Sequence, residues 1–134
     1  MIFVAGGTGF APIKAIIEHA LHHKLDREMV LYWGVRSLRD LYLPELPGKW
    51  QTEHGNFTFI PVLSDPAPAD NWLGRTGFVH QAVLDDFADL SGYQVYACGG
   101  PAMIDVARKA FTETRGLPAD AFFADSFTYA VDRA

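Results

Sequence analysis

Ile2-Phe3-Val4-Ala5-Gly6-Gly7-Thr8-Gly9-Phe10-Ala11-Pro12-Ile13 opens the chain with an apolar run, a glycine-rich turn and a proline, and these twelve residues decide the fold. Ile2 to Ala5 reads as a first strand. Pro12 then opens a helix in which Ile13, Ile16, Ile17 and Ala20 recur at helical spacing. Strand, glycine turn and helix follow one another from the first residue. Farther along, Met29 to Trp33 is the second strand, followed by a short helical segment around Leu43 to Thr52 with Pro44 and Pro47 near its start. Phe57 to Leu63 is the third strand. It runs into a long loop, Ser64 to Gly74, and then a helix from about Phe78 to Phe87. Gln94 to Cys98 is the fourth strand, Pro101 opens a helix that runs to Arg115, and Ala121 to Ser126 supplies a fifth strand. Apolar strands alternating with helices predict an α/β fold, a doubly wound five-stranded parallel sheet with helices on both faces. The whole span, 1–134, is expected to form one domain.

Composition removes several classes of function. The 134 residues are 49% hydrophobic, enough for one continuous core. A formal net charge of −5, with scattered basic residues, offers no field for a phosphate backbone, so nucleic acid is not an expected partner. No apolar run approaches the roughly 20 residues of a membrane span, and the N-terminus lacks a signal-peptide pattern, so no membrane partner is expected and the chain reads as cytoplasmic. The one cysteine, Cys98, cannot form an internal disulfide, and no spacing of Cys and His suggests a metal site.

Ligands of open parallel sheets bind beyond the carboxyl ends of the strands, and here those ends carry unusual residues. Gly6, Gly7 and Gly9 permit a sharp turn and close approach to a ligand, and the following helix offers free N–H groups and a positive dipole end to a pyrophosphate. Thr8 adds a hydroxyl. Such a turn is weak evidence alone, since tight strand-to-helix connections use glycine anyway. Neither a Walker A Lys-Ser/Thr pair nor the third glycine of GxGxxG is present. Cys98-Gly99-Gly100-Pro101 repeats the device at a second strand end, which strengthens the ligand reading. Cys98 in isolation would be a small core residue. Arg36 and Asp65 follow strands and read either as solvated charges or as ribose contacts. His19, His22 and His23 share a partly exposed helix face and need no chemistry, and His54 and His80 have no evident partner in sequence.

Five stretches, GGTGFAPI at 6–13, YWGVRSLRDLY at 32–42, VLSDP at 62–66, YACGGPAMI at 96–104 and FFADSF at 122–127, resemble the ferredoxin reductase-like superfamily. The likeness is to the nicotinamide-binding domain of NADH-dependent flavin reductases that serve bacterial oxygenases or deoxysugar glucoseen reduction. The resemblance implies that Gly7, Thr8, Gly9 and Pro12 cradle the dinucleotide pyrophosphate and that Arg36 lies near the adenosine half. Ser64 and Asp65 match the place where such proteins sort NADH from NADPH. A carboxylate there repels a 2′-phosphate and accepts hydrogen bonds from a ribose diol, so NADH is the expected cofactor over NADPH. Cys98, Gly99, Gly100 and Pro101 match a motif beside the nicotinamide ring, with Cys98 the residue closest to the chemistry. Met103 lies on the helical turn behind it, and Phe127 matches an aromatic near the flavin.

Relatives carry a flavin-binding β-barrel before this domain, and often a [2Fe-2S] ferredoxin domain as well. A chain with one cysteine cannot itself ligate such a cluster. The expectation is therefore a portion of a longer reductase, with FAD or FMN on an N-terminal flavin-binding domain and a ferredoxin-like or oxygenase electron acceptor beyond it. The alternative is a non-enzymatic nucleotide-binding or NADH-sensing regulatory domain. A receiver or flavodoxin reading is disfavoured by glycines where an acidic cluster or a Ser/Thr-rich loop would stand.

Overall fold

The computed structural model describes residues 1–41 and 45–126, with Thr8 and Ser126 described by their backbone alone. Its elements in chain order are β1 (Ile2–Gly6), α1 (Phe10–His22), β2 (Met29–Val35), α2 (Glu45–Glu53), β3 (Phe57–Leu63), β4 (Arg75–Thr76), α3 (Val79–Asp86), β5 (Val95–Gly99), α4 (Pro101–Thr114) and β6 (Phe122–Ser126). The strands form one sheet in the order β4-β3-β2-β1-β5-β6, and every neighbouring pair is parallel.

The sheet therefore has six strands rather than five. The additional one, β4, is two residues long and pairs Arg75 with Val62 and Thr76 with Leu63, just past the loop read in sequence as Ser64 to Gly74. A two-residue strand carries no apolar alternation by which it could be recognised. A second correction concerns α1, which begins at Phe10, two residues before Pro12. The first-turn amides have no intrahelical acceptor, so a proline at the third position sacrifices no hydrogen bond. The helix placed around Leu43 to Thr52 is α2, seen from Glu45, with Leu43 and Pro44 outside the described residues.

Alternation along β1 divides the core. Ile2 and Val4 point to the face covered by α3 and α4, where they join Val79, Val83, Ile104 and Phe111. Phe3 and Ala5 point to the face covered by α1 and α2, with Phe10, Ile13, Ile17 and Trp50. Both faces of the central strands are buried, which is why β1 shows an unbroken apolar run. Among the described residues no helix is long and apolar enough to cross a membrane.

From β1 the chain builds outward through β2 to β3, then returns to place β5 on the other side of β1. The order reverses between β1 and β5, and the loops leaving these two strands diverge to opposite faces. A crevice at this point is the general consequence of the topology.

Candidate dinucleotide site

The two glycine loops meet at the reversal. Ala5 pairs with Cys98 across β1 and β5, which sets Gly6 beside Gly99 one residue on. A Cβ at Gly9 would collide with the carbonyl oxygen of Cys98, and one at Gly99 would lie 2.5 Å from Met103 Cε. Met103 reaches back from the first turn of α4, its methyl group against both Gly6 and Gly99. Gly7 adopts φ +56°, in the left-handed region that favours glycine, and its carbonyl oxygen accepts a hydrogen bond of 2.9 Å from Trp33 Nε1. Pro101 is the first residue of α4 and Gly100 its N-cap, as the sequence indicates.

On the other side, β2 and β3 keep their register past the strand ends. Ser64 N–H donates to Val35 O at 2.9 Å and Asp65 N–H to Arg36 O at 2.8 Å. This places the two side chains together, with Arg36 Nε 3.6 Å from Asp65 Oδ2 and both 70% or more exposed, at 79% and 72%. An ion pair so open to water adds little stability, which leaves both groups available to a ligand. One Asp70 carboxylate oxygen accepts the N–H of Leu38 at 3.3 Å and of Ala67 at 3.0 Å, tying the loop after β2 to the loop after β3. A groove of about 270 Å³ joins the two halves, lined by Gly6, Gly7, Arg36, Ser64, Phe78 and Met103 among others.

Phe78 and Asp125 escaped the sequence reading. Phe78, the N-cap of α3, is 69% exposed although aromatic, and it forms part of the groove wall. The available signal was an aromatic residue directly after Gly77 at a helix start. Asp125 is the register partner of Cys98 across β5 and β6, a relation visible only once the strands are paired.

Cys98 is 1% exposed and belongs to the core on the α1 side. It borders a second, apolar hollow of about 200 Å³ with Pro12, Ile13, Tyr96, Phe123 and Asp125. Burial, helped by the negative charge of Asp125, pushes its thiol up to about 11. Cys98 is consequently a neutral thiol at neutral pH and not a nucleophilic thiolate. The structure thus brings Gly7, Arg36, Ser64 and Met103 to one groove, and sets the side chains of Cys98 and Pro12 on the other side of the sheet end. Phe127 lies outside the described residues, as does the Thr8 side chain. His19 and His23 stand with ring centroids 4.3 Å apart on α1, away from the groove. Among the described residues no group of His, Cys, Asp and Glu is arranged to hold a metal ion.

The sequence profile of the oxidoreductase NAD-binding domain family matches residues 3–109. Protein RfbI of Salmonella typhimurium is 46% identical over 129 residues, which cover 96% of this chain and 38% of RfbI. The CDP-6-deoxy-L-threo-D-glycero-4-hexulose-3-dehydrase reductase of Yersinia pestis is 42% identical over 127 residues, covering 95% of this chain and 37% of the relative. Among solved structures, the Amycolatopsis cytochrome P450 reductase GcoB superposes with a TM-score of 0.85 at 37% identity, over 96% of this chain and 37% of GcoB. The chain spans little more than a third of each of these proteins.

Proposed function

Because the chain belongs to the oxidoreductase NAD-binding domain family, we propose that it binds NADH across the β1/β5 reversal and holds the nicotinamide against a flavin carried elsewhere in a longer reductase. The domain resembles the NAD(P)H-binding modules of flavin-dependent oxidoreductases. The observation that carries the proposal is the pair of glycine loops packed against one another at the reversal, with backbone where side chains would collide. A pyrophosphate needs such bare backbone, because its oxygens must approach N–H groups to hydrogen-bond distance.

Each residue then has a task. Gly7, Thr8 and Gly9 present backbone amides to the pyrophosphate at the start of α1, with Pro12 rigidifying the first helical turn. Asp65 accepts hydrogen bonds from the adenosine ribose, with Ser64 beside it, and its charge disfavours a 2′-phosphate. Arg36, paired to Asp65, is partly neutralised and steadies that carboxylate. Phe78 offers an exposed ring as a stacking face for the adenine. Gly99, Gly100 and Pro101 clear the nicotinamide end, Met103 backs it, and Cys98 fixes the backbone that meets Gly9. Phe127, following β6, would meet the flavin side.

NADH supplies a hydride when bound, and the cofactors carry that chemistry. The protein contributes placement, since donor and acceptor must lie within roughly 3–3.5 Å for transfer. FAD or FMN belongs in this reading to an N-terminal flavin-binding domain. The electrons pass onward to a [2Fe-2S] centre, a ferredoxin-like protein or an oxygenase. Titration calorimetry of the chain with NADH and NADPH tests the specificity. NADH should bind at least about tenfold tighter, the scale of one unfavourable charge contact, and tighter binding of NADPH would overturn the role of Asp65.

A further inference from the structure

We infer that Trp33 is a positioning residue of the pyrophosphate cradle, its indole N–H fixing the Gly7–Thr8 peptide so that Thr8 N–H faces the groove. The inference rests on reading the glycine loop as that cradle. Trp33 is completely buried near the end of β2 and cannot touch a nucleotide in the groove. Its ring lies on Phe10, the first residue of α1, with centroids 4.1 Å apart and planes 15° from parallel. Its Nε1 donates to Gly7 O at 2.9 Å. One side chain thus contacts both the loop and the helix that the loop feeds.

Peptide geometry supplies the rest. All peptides described are trans, and in a trans peptide the C=O of one residue and the N–H of the next point in opposite directions. Trp33 belongs to the core cluster on the α1 side, so the Gly7 carbonyl is drawn toward that side. Thr8 N–H is therefore turned the other way. That is the side on which Gly6, Gly7, Gly34 and Met103 line the groove, and Met103 packs with the opposite core cluster. Gly7, with φ +56° and open space around its missing Cβ, has little of its own to prevent the peptide from rotating. The indole hydrogen bond supplies that restraint before any ligand arrives, and preorganised donors bind an anion with less ordering cost.

The test is an NMR titration of the full chain, wild type and Trp33→Phe, with ADP-ribose and with adenosine. Phenylalanine retains a ring beside Phe10 and removes the donor. For ADP-ribose, which contains the pyrophosphate, Kd should rise about fivefold in the variant, the effect of one neutral hydrogen bond. Adenosine affinity should be unchanged. In the wild type the Trp33 indole N–H signal should shift together with the Thr8 amide as ADP-ribose is added. Equal ADP-ribose affinity in the two proteins would overturn the inference, as would equal losses for both ligands, the mark of a general structural defect. Should Trp33→Phe fail to fold, a wild-type indole signal that stays fixed while the Thr8 amide moves would overturn it. If neither the Thr8 nor the Gly9 amide responds to ADP-ribose, the cradle reading itself fails and the role of Trp33 falls with it.

Discussion

At the residue scale, Cys98 packs in two ways at once, through its side chain and through its carbonyl. Its side chain is buried with Phe3, Ala5 and Ile13, while its carbonyl oxygen fills the space that a side chain at Gly9 would need. Cys98→Ala should lower stability by about 1 kcal/mol through the small cavity it leaves. If Cys98 also sets the nicotinamide end, the same variant in a reductase assembled with a flavin-binding domain should reduce flavin several-fold more slowly at saturating NADH. Stopped-flow flavin reduction beside a thermal melt separates the two effects. A normal rate with a lowered melting temperature would leave Cys98 as core alone. The titration has a definite sign. Because burial raises the folded thiol from 9.0 to about 11, the unfolded chain releases its proton first as pH rises. The stabilising contribution is whole below pH 9 and is lost as pH climbs toward 11, a slope that Cys98→Ala should lack.

The residues legible in sequence were those whose chemistry is local. Gly7, Gly9 and Pro101 announce turns and helix starts by type alone. Asp65 was legible as a ribose or solvent group, but its pairing with Arg36 is a product of β2–β3 register. Trp33 looked like strand interior, and nothing in its neighbours in sequence connects it with Gly7, 26 positions earlier.

At the scale of elements, the apolar strands β1, β2, β3 and β5 were legible because burial on both faces leaves long apolar runs. β4 was not, since two residues carry no pattern, and side chains distant in sequence help its short pairing with β3 to hold it. Arg75 donates to both oxygens of Asp86 at 3.0 Å and to Ala82 O at 3.2 Å, and Tyr32 OH donates to Asp86 Oδ2 at 2.6 Å. These bonds fasten the short edge strand to α3 across the sheet. Burial opposes ionisation of Asp86, but the hydrogen bonds from Tyr32 and Arg75 outweigh it and hold the carboxyl below its ordinary range. A depressed folded pKa means that the stabilisation is whole above pH 3.8 and is lost as pH falls through the folded value. Asp86→Asn should therefore cost about 1–2 kcal/mol at neutral pH. The cost should shrink on acidification, followed by denaturant unfolding at several pH values. A cost independent of pH between 7 and 2 would rule out the charged network as the fastening.

For the whole molecule, the central claim is that one dinucleotide spans the sheet end from the β1 and β5 loops to the β2 and β3 loops. Topology makes the claim specific, because a parallel sheet has a second end. There, Lys24, Asp26, His54 and Asn56 line another groove, of about 310 Å³, which lacks paired glycine loops. Volume alone does not choose between the two ends, and bare backbone beside a helix start does. The direct measurement is a two-dimensional amide NMR titration of the chain with NADH. The expected result is a saturable shift of Gly7, Thr8, Gly9, Arg36, Asp65 and Gly99, with His54 and Asn56 unmoved. Shifts confined to His54, Asn56 and their neighbours, or no saturable shift at all, would contradict the account.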